Sequence, residues 1–173
     1  MFTRLEDFRK AWAEETQDTR KVLGAIPDRA LGQSVAPGYR DLRRMAWHLV
    51  ESIGGLPAQI GIHLPGPIWH EDGTPSEAIP DRMSQIEAQY ASSAAALLGA
   101  LAAWDDADLQ KEDTLFGHLR WKRGETLLAL IVHQAHHRGQ MTVLMRQAGL
   151  KVPEFYGPTK EAWAALGQPE PAV

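Results

Sequence analysis

Two histidines one helical turn apart, His133 and His137, are the residues of this chain best suited to chemistry. They lie in the stretch TLLALIVHQAHHRGQMTVLMRQAG, residues 126–149. At about 100° per residue, Leu130, His133, His137, Met141, Leu144 and Ala148 fall on one stripe of a helix. Gly149 stands where a C-terminal cap glycine belongs. The spacing therefore predicts a helix whose buried face is apolar except for two imidazoles. A buried neutral imidazole needs partners for both ring nitrogens, or it costs on the order of 1–3 kcal/mol. A metal ion is one partner that histidines at i and i+4 can share. Backbone carbonyls, glutamine or water are the partners in an ordinary core, and the pattern alone leaves both readings open.

A metal needs a third ligand from elsewhere. Cysteine is absent, so the donors are confined to His, Asp, Glu and water, and disulfides and thiolate nucleophiles are excluded. His48 and His136 are the leading candidates, with His63, His70 and His118 behind them. His136 lies about 100° round the helix from His137, so one ion serves the whole tandem set poorly. His48 flanks an apolar stripe, beside Met45, Ser52 and Gly55, and the small Ser52 and Gly55 admit another helix or leave a pocket.

Other chemistries are removed directly. No histidine has Glu three residues before it, as a di-iron carboxylate bundle requires. There is no His-Glu-x-x-His, no Gly-x-Ser-x-Gly elbow, no phosphate-cradling GxxxxGK[ST] and no GxGxxG. Arg40, Arg43 and Arg44 cluster without an aromatic platform and read as a solvated face. A net charge of −4 gives no general attraction to nucleic acid or anionic membranes.

The elements that must carry these residues follow from periodicity. Leu5, Phe8, Trp12, Thr16, Thr19, Val22 or Leu23, and Ile26 mark a first helix, with Thr3 and Glu6 as its expected capping box and Pro27 as its stop. A loop with Pro27, Gly32, Pro37 and Gly38 leads to a second helix, from Tyr39 or Asp41 to Ile60, carrying Leu42, Met45, Leu49, Ile53 and Leu56. Residues 61–80 form a long Gly/Pro-rich loop, of the kind that builds lids and pocket walls, and His63 and His70 become ligands only if it folds over the site. A third helix runs from Asp81 to Ala103, with Met83, Ile86, Tyr90, Leu97, Leu101 and Trp104 buried. DTLFGHLRW reads as a hairpin-like excursion around Gly117, and the histidine helix begins near Glu125. Thr159 caps a short C-terminal helix, KEAWAAL, closed by Gly167. The expectation is an all-α protein: a four-helix bundle with long inter-helix loops and a short C-terminal helix, one domain over residues 1–167, and a frayed tail at 168–173. With 173 residues and 44% hydrophobic content, it has enough apolar surface for a core. The amino terminus carries no apolar signal core and no run spans a membrane, so a cytoplasmic location is expected.

His133-Gln-Ala-His-His137-Arg138-Gly139-Gln140, continuing through VLMRQAGLKVPEFYGP, resembles the signature of the DinB-like superfamily, bundle proteins regarded as metal-dependent enzymes. Trp47-His48-Leu49 matches its upstream histidine. The resemblance covers nearly the whole layout, but only the His-x-x-x-His-Arg-Gly-Gln stretch is specific. It implies a metal held by His48, His133 and His137, choosing His48 over His136. Zinc or nickel is then the first expectation, with iron or copper as alternatives that three imidazoles also suit. Three neutral histidines with open positions are a catalytic rather than a closed structural arrangement. Relatives that act with low-molecular-weight thiols make a thiol-dependent transferase or hydrolase of small molecules the implied activity. A non-catalytic metal- or ligand-binding stress-response module is the alternative, and a fourth protein ligand such as His63 or His70 would favour it. Glu51, near His48, and Tyr156 are candidates for supporting or pocket roles, and no general base is identified. The resemblance and six tryptophans in so small a chain point to a homodimer.

Overall fold

The computed structural model describes residues 1–70, 73–163, 165–170 and 172. Four helices form the body: α1 (Leu5–Gly24), α2 (Leu42–Ala58), α3 (Met83–Ala100) and α4 (Arg123–Gln147). A two-stranded antiparallel hairpin, β1 (Glu112–Leu115) and β2 (Leu119–Lys122), joins α3 to α4, with Leu115 opposite Leu119. Gly117 turns it at φ +75°, the left-handed conformation a glycine supplies without strain. Both α1 and α2 pack against α3 and against α4, which places α1 and α2 at opposite corners of the bundle. The long connections make this possible, because the chain need not step to an adjacent corner after α1.

Two helix starts depend on distant residues. The capping box expected from Thr3 and Glu6 does not form: Arg4 occupies the cap position with no side-chain bond. The Leu5 amide donates instead to Asp106 Oδ1 at 2.7 Å, from the segment after α3. The first amide of α3, on Met83, likewise donates to Asp28 Oδ1 at 2.8 Å. A carboxylate at a helix amino terminus satisfies an orphan donor and complements the dipole, whichever part of the chain supplies it. α2 is capped locally, with Asp41 accepting from the Arg44 amide. At the other end of α4, Gly149 has φ +69°, and bonds Gly149 N→Arg146 O and Leu150 N→Met145 O close a Schellman motif. The C-terminal segment makes a 3₁₀ turn at Lys160–Ala162 in place of a full short helix; Ala164, within the expected helix, and Pro171 and Val173, in the tail, lie outside the described residues.

α2 is the most enclosed helix. From Met45 to Pro57 every residue is buried except His48. The approach permitted by its small residues comes from the loop rather than from a helix. A Cβ on Gly54 would meet Ile68 at 2.9 Å, and one on Gly55 would meet the Trp69 ring at 2.5 Å. The loop thus lies on α2 and leaves His48 as its partly open position. None of the six tryptophans is exposed: Trp12 and Trp47 are buried, and Trp69, Trp104, Trp121 and Trp163 are half-buried. Among the described residues, no helix is long and apolar enough to cross a membrane.

Candidate metal centre

α2 and α4 bring His48, His133 and His137 to one point. The ring centroids lie 5.0 Å apart for His48–His133, 4.6 Å for His48–His137 and 4.4 Å for His133–His137. One nitrogen from each ring lies within 4.8 Å of the others, the single group of metal-ligand type among the described residues. The Nε2 atoms of His133 and His137 are 3.2 Å apart. Zinc–nitrogen bonds of about 2.0–2.1 Å give a tetrahedral edge of roughly 3.3–3.4 Å, so this pair needs almost no adjustment to share an ion.

Protonation favours ligation. Burial, then the charges of His137, His48, His136 and Arg40, lower His133 to about 3. Burial likewise lowers His137 to about 4, against its hydrogen bond to Gln140, which raises it. Both rings are therefore neutral near pH 7 and carry lone pairs. Gln140 selects which nitrogen is free: its Oε1 accepts from His137 Nδ1 at 2.8 Å, while its amide nitrogen donates to His136 Nε2 at 3.1 Å. With Nδ1 protonated, His137 presents its Nε2 lone pair toward His133.

His48 Nδ1 is buried, has no hydrogen bond among the described residues and lies 3.6 Å from Glu51 Oε2. That is too long for a hydrogen bond but within a small side-chain adjustment of one. Glu51 is fully buried, paired through Oε2 with Arg44 at 2.8 Å, and its Oε1 has no hydrogen-bond partner among the described residues. A carboxylate behind a ligating histidine is the usual means of orienting it. Two neighbouring orphaned polar atoms, together with facing imidazole lone pairs, fit a cation better than they fit an ordinary core.

The other histidines stay apart. His63, His70 and His118 are exposed, and His136 is exposed and held by Gln140. The loop does fold over the site, but it delivers Trp69, whose ring lies 5.9 Å from that of His48. Beside His137 and Gln140 opens a cleft of about 540 Å³.

The buried face of α4 is more polar than its periodicity implied. Gln134 and Arg138, each following a ligand-type histidine, are fully buried. Gln134 donates to Leu49 O at 3.0 Å and Ser52 Oγ at 2.8 Å on α2, and Tyr90 donates to it at 3.2 Å from α3. Arg138 pairs with buried Glu15 of α1 and donates to Thr19 Oγ1 at 2.9 Å. Its guanidinium lies 4.9 Å and 5.1 Å from the rings of Phe155 and Tyr156, and the Tyr156 hydroxyl bonds Glu15. Tyr156 therefore supports Arg138, not the imidazoles. Together these bonds fix the rotation of α4 and hence the direction of His133 and His137. Glu15 was discernible as a position in the Phe8–Trp12–Thr19–Val22 stripe.

The family model described as the DinB family matches residues 1–171. The uncharacterized protein YrdA of Bacillus subtilis (strain 168) is 39% identical over 174 residues, covering 100% of both chains. A crystal structure of a DinB-like protein from Bacillus cereus ATCC 10987 superposes with TM-score 0.81 at 38% identity, covering 90% of this chain and 100% of that one. A DinB-like protein from Bacillus subtilis gives TM-score 0.66 at 13% identity over 88% and 99% of the two chains, a likeness of fold alone.

Proposed function

Because this chain belongs to the DinB family and gathers three neutral imidazoles beside an open cleft, we propose that it is a divalent-metal-dependent enzyme acting on a small molecule. The reaction class is transfer or hydrolysis, with a low-molecular-weight thiol as co-substrate. The observation that carries this reading is the position of the cluster. His137 lines both the cluster and the cleft, so ligands from the protein occupy one side and the other side faces space for a substrate.

His48, His133 and His137 would hold the ion, zinc or nickel before iron or copper. A divalent ion in such a site supplies Lewis acidity and brings a water or thiol toward ionisation near neutral pH. The chain's own residues do the rest. Gln140 keeps the proton of His137 on Nδ1, Glu51 stands behind His48, and the Trp69 ring lies beside that of His48. With no cysteine in the chain, any thiol must enter from solution. His63 and His70, which a closed structural site would recruit, are exposed and outside the cluster.

The test is metal analysis of the purified protein followed by calorimetric titration with Zn²⁺. One ion per chain is expected, lost in His133→Ala and in His137→Ala. A screen of thiols with electrophiles should then give turnover that chelator abolishes and Zn²⁺ restores. Full metal occupancy in both single variants would place the site elsewhere.

A further inference from the structure

The cleft beside His137 has a chemistry distinct from the imidazoles. Val35, Met45, Val143 and Leu144 make its walls apolar, and one cation faces it, Arg40. Three arginines stand at the start of α2, and they are not equivalent. Arg43 donates to the carbonyls of Ile79 and Pro80 and pairs with Asp81 at 2.7 Å. Arg44 pairs with Glu51 at 2.8 Å. Arg40 has neither an ion pair nor a side-chain hydrogen bond among the described residues. Partial burial first, and the Arg44 charge second, hold it below the ordinary arginine value, against the charge of Glu51, which raises it. Its charge also bears on His133 and His137.

Arg40 is exposed at the edge of the cleft, so water solvates it in the free protein, and its guanidinium donors are available to an anion that enters beside the apolar wall. A divalent ion at the neighbouring imidazoles would raise the local positive potential further. Guanidinium matches the planar, two-oxygen geometry of a carboxylate better than that of a neutral head group. We propose that the cleft takes a small amphiphilic carboxylate, its head group on Arg40 and its apolar body along Val35, Met45, Val143 and Leu144, so that the molecule lies against the His137 edge of the cluster. This rests on the reading of the cluster as a catalytic centre and names the substrate class for it.

The test uses four probes, hexanoate, acetate, hexan-1-ol and hexylamine, with binding followed by ligand-observed NMR on metal-free and zinc-loaded protein. In the metal-free protein, hexanoate should bind at least tenfold tighter than hexan-1-ol, tenfold being about 1.4 kcal/mol. It should exceed acetate and hexylamine by at least the same factor. Arg40→Gln, with unchanged circular dichroism, should erase the preference for hexanoate over hexan-1-ol. Equal binding of hexanoate and hexan-1-ol to the wild type overturns the anion site, and equal binding of hexanoate and acetate overturns the apolar wall. A preference for hexanoate that appears only with zinc and survives Arg40→Gln would mean the carboxylate goes to the ion, which also overturns it. If the wild type shows the expected preferences but takes up no zinc, the cleft's ligand class stands and the metal reading alone falls.

Discussion

Replacing Arg138 by methionine tests whether α4 is held in register by a buried charge. Arg138 is fully buried and Glu15 is 3% exposed, so the substitution leaves a carboxylate in the core, still bonded to the Tyr156 hydroxyl but without its cation. Removing one member of a buried ion pair typically costs about 3–5 kcal/mol, because the remaining charge is uncompensated. The stacking of the guanidinium on Phe155 and Tyr156 is lost as well. At roughly 2–4 °C per kcal/mol for a domain of this size, the melting temperature should fall by about 6–20 °C. Glu15→Gln combined with Arg138→Met removes the orphaned charge and should recover a large part of that loss, a non-additivity that a double-mutant cycle by thermal denaturation measures directly. Arg138→Met melting within about 2 °C of the wild type would refute the argument, since one buried pair must exceed roughly 1 kcal/mol. A double variant whose losses simply add would show that the pair acts through packing instead. Zn²⁺ titration of Arg138→Met reads the functional consequence: looser rotation of α4 should weaken binding without moving the ligands.

Gln140→Leu should weaken Zn²⁺ binding by about 10–100-fold, because His137 loses the acceptor that fixes its tautomer, while His136→Ala should leave the affinity nearly unchanged; calorimetry with the reverse ranking would mean that His136 is a ligand. His133 and His137 titrate near 3 and 4 in the folded protein against 6.5 when unfolded, so the unfolded chain binds more protons between these values. Metal-free protein should therefore lose stability as pH falls from about 6.5 toward 4, less steeply in His133→Ala, as melting temperatures in chelator across that range would show. Chelation at pH 7 should leave helical circular dichroism nearly intact and lower the melting temperature by only several degrees, since the four helices bury a core of their own; global unfolding at 25 °C would identify a structural metal. A homodimer is expected from the family resemblance rather than from the tryptophans, none of which is exposed, and a monomer mass by light scattering at tens of micromolar would rule out all but a weak dimer.

Local features were legible in the sequence to the extent that they are paid for locally. The apolar stripes of α1, α2 and α3, the glycine that closes α4 and the hairpin around Gly117 all rest on interactions within a few residues. The His-x-x-x-His pair was legible for the same reason, since helix geometry alone puts both rings on one side. What escaped were interactions between distant parts of the chain. Asp106 and Asp28 cap helices far from them in sequence, so the local Thr3–Glu6 pattern lost to a carboxylate no window could contain. The packing order of the helices was illegible because long connections do not constrain it. Arg40 reads like Arg43 and Arg44 until the loop at residues 79–81 and Glu51 are seen to occupy the other two.

The polar residues buried beneath the cluster give the last step. The only polar residues that periodicity placed on the inner face of α4 were the imidazoles, yet Gln134 and Arg138 lie deeper than either. Apolar residues at both positions would give a core at least as stable, because well-packed hydrophobic replacements for buried ion pairs are often neutral or stabilising. A helix with a purely apolar inner face can also slip or rotate by part of a turn at little cost, and such a rotation would swing His133 and His137 away from His48. Gln134 bonds α2, and Arg138 bonds α1, so α4 is pinned by directional contacts on both flanks, each one residue beyond a ligand-type histidine. The spacing of the pins copies the spacing of the imidazoles. Polar burial here fixes direction where hydrophobic burial fixes only proximity, and a three-point site assembled from two helices needs both.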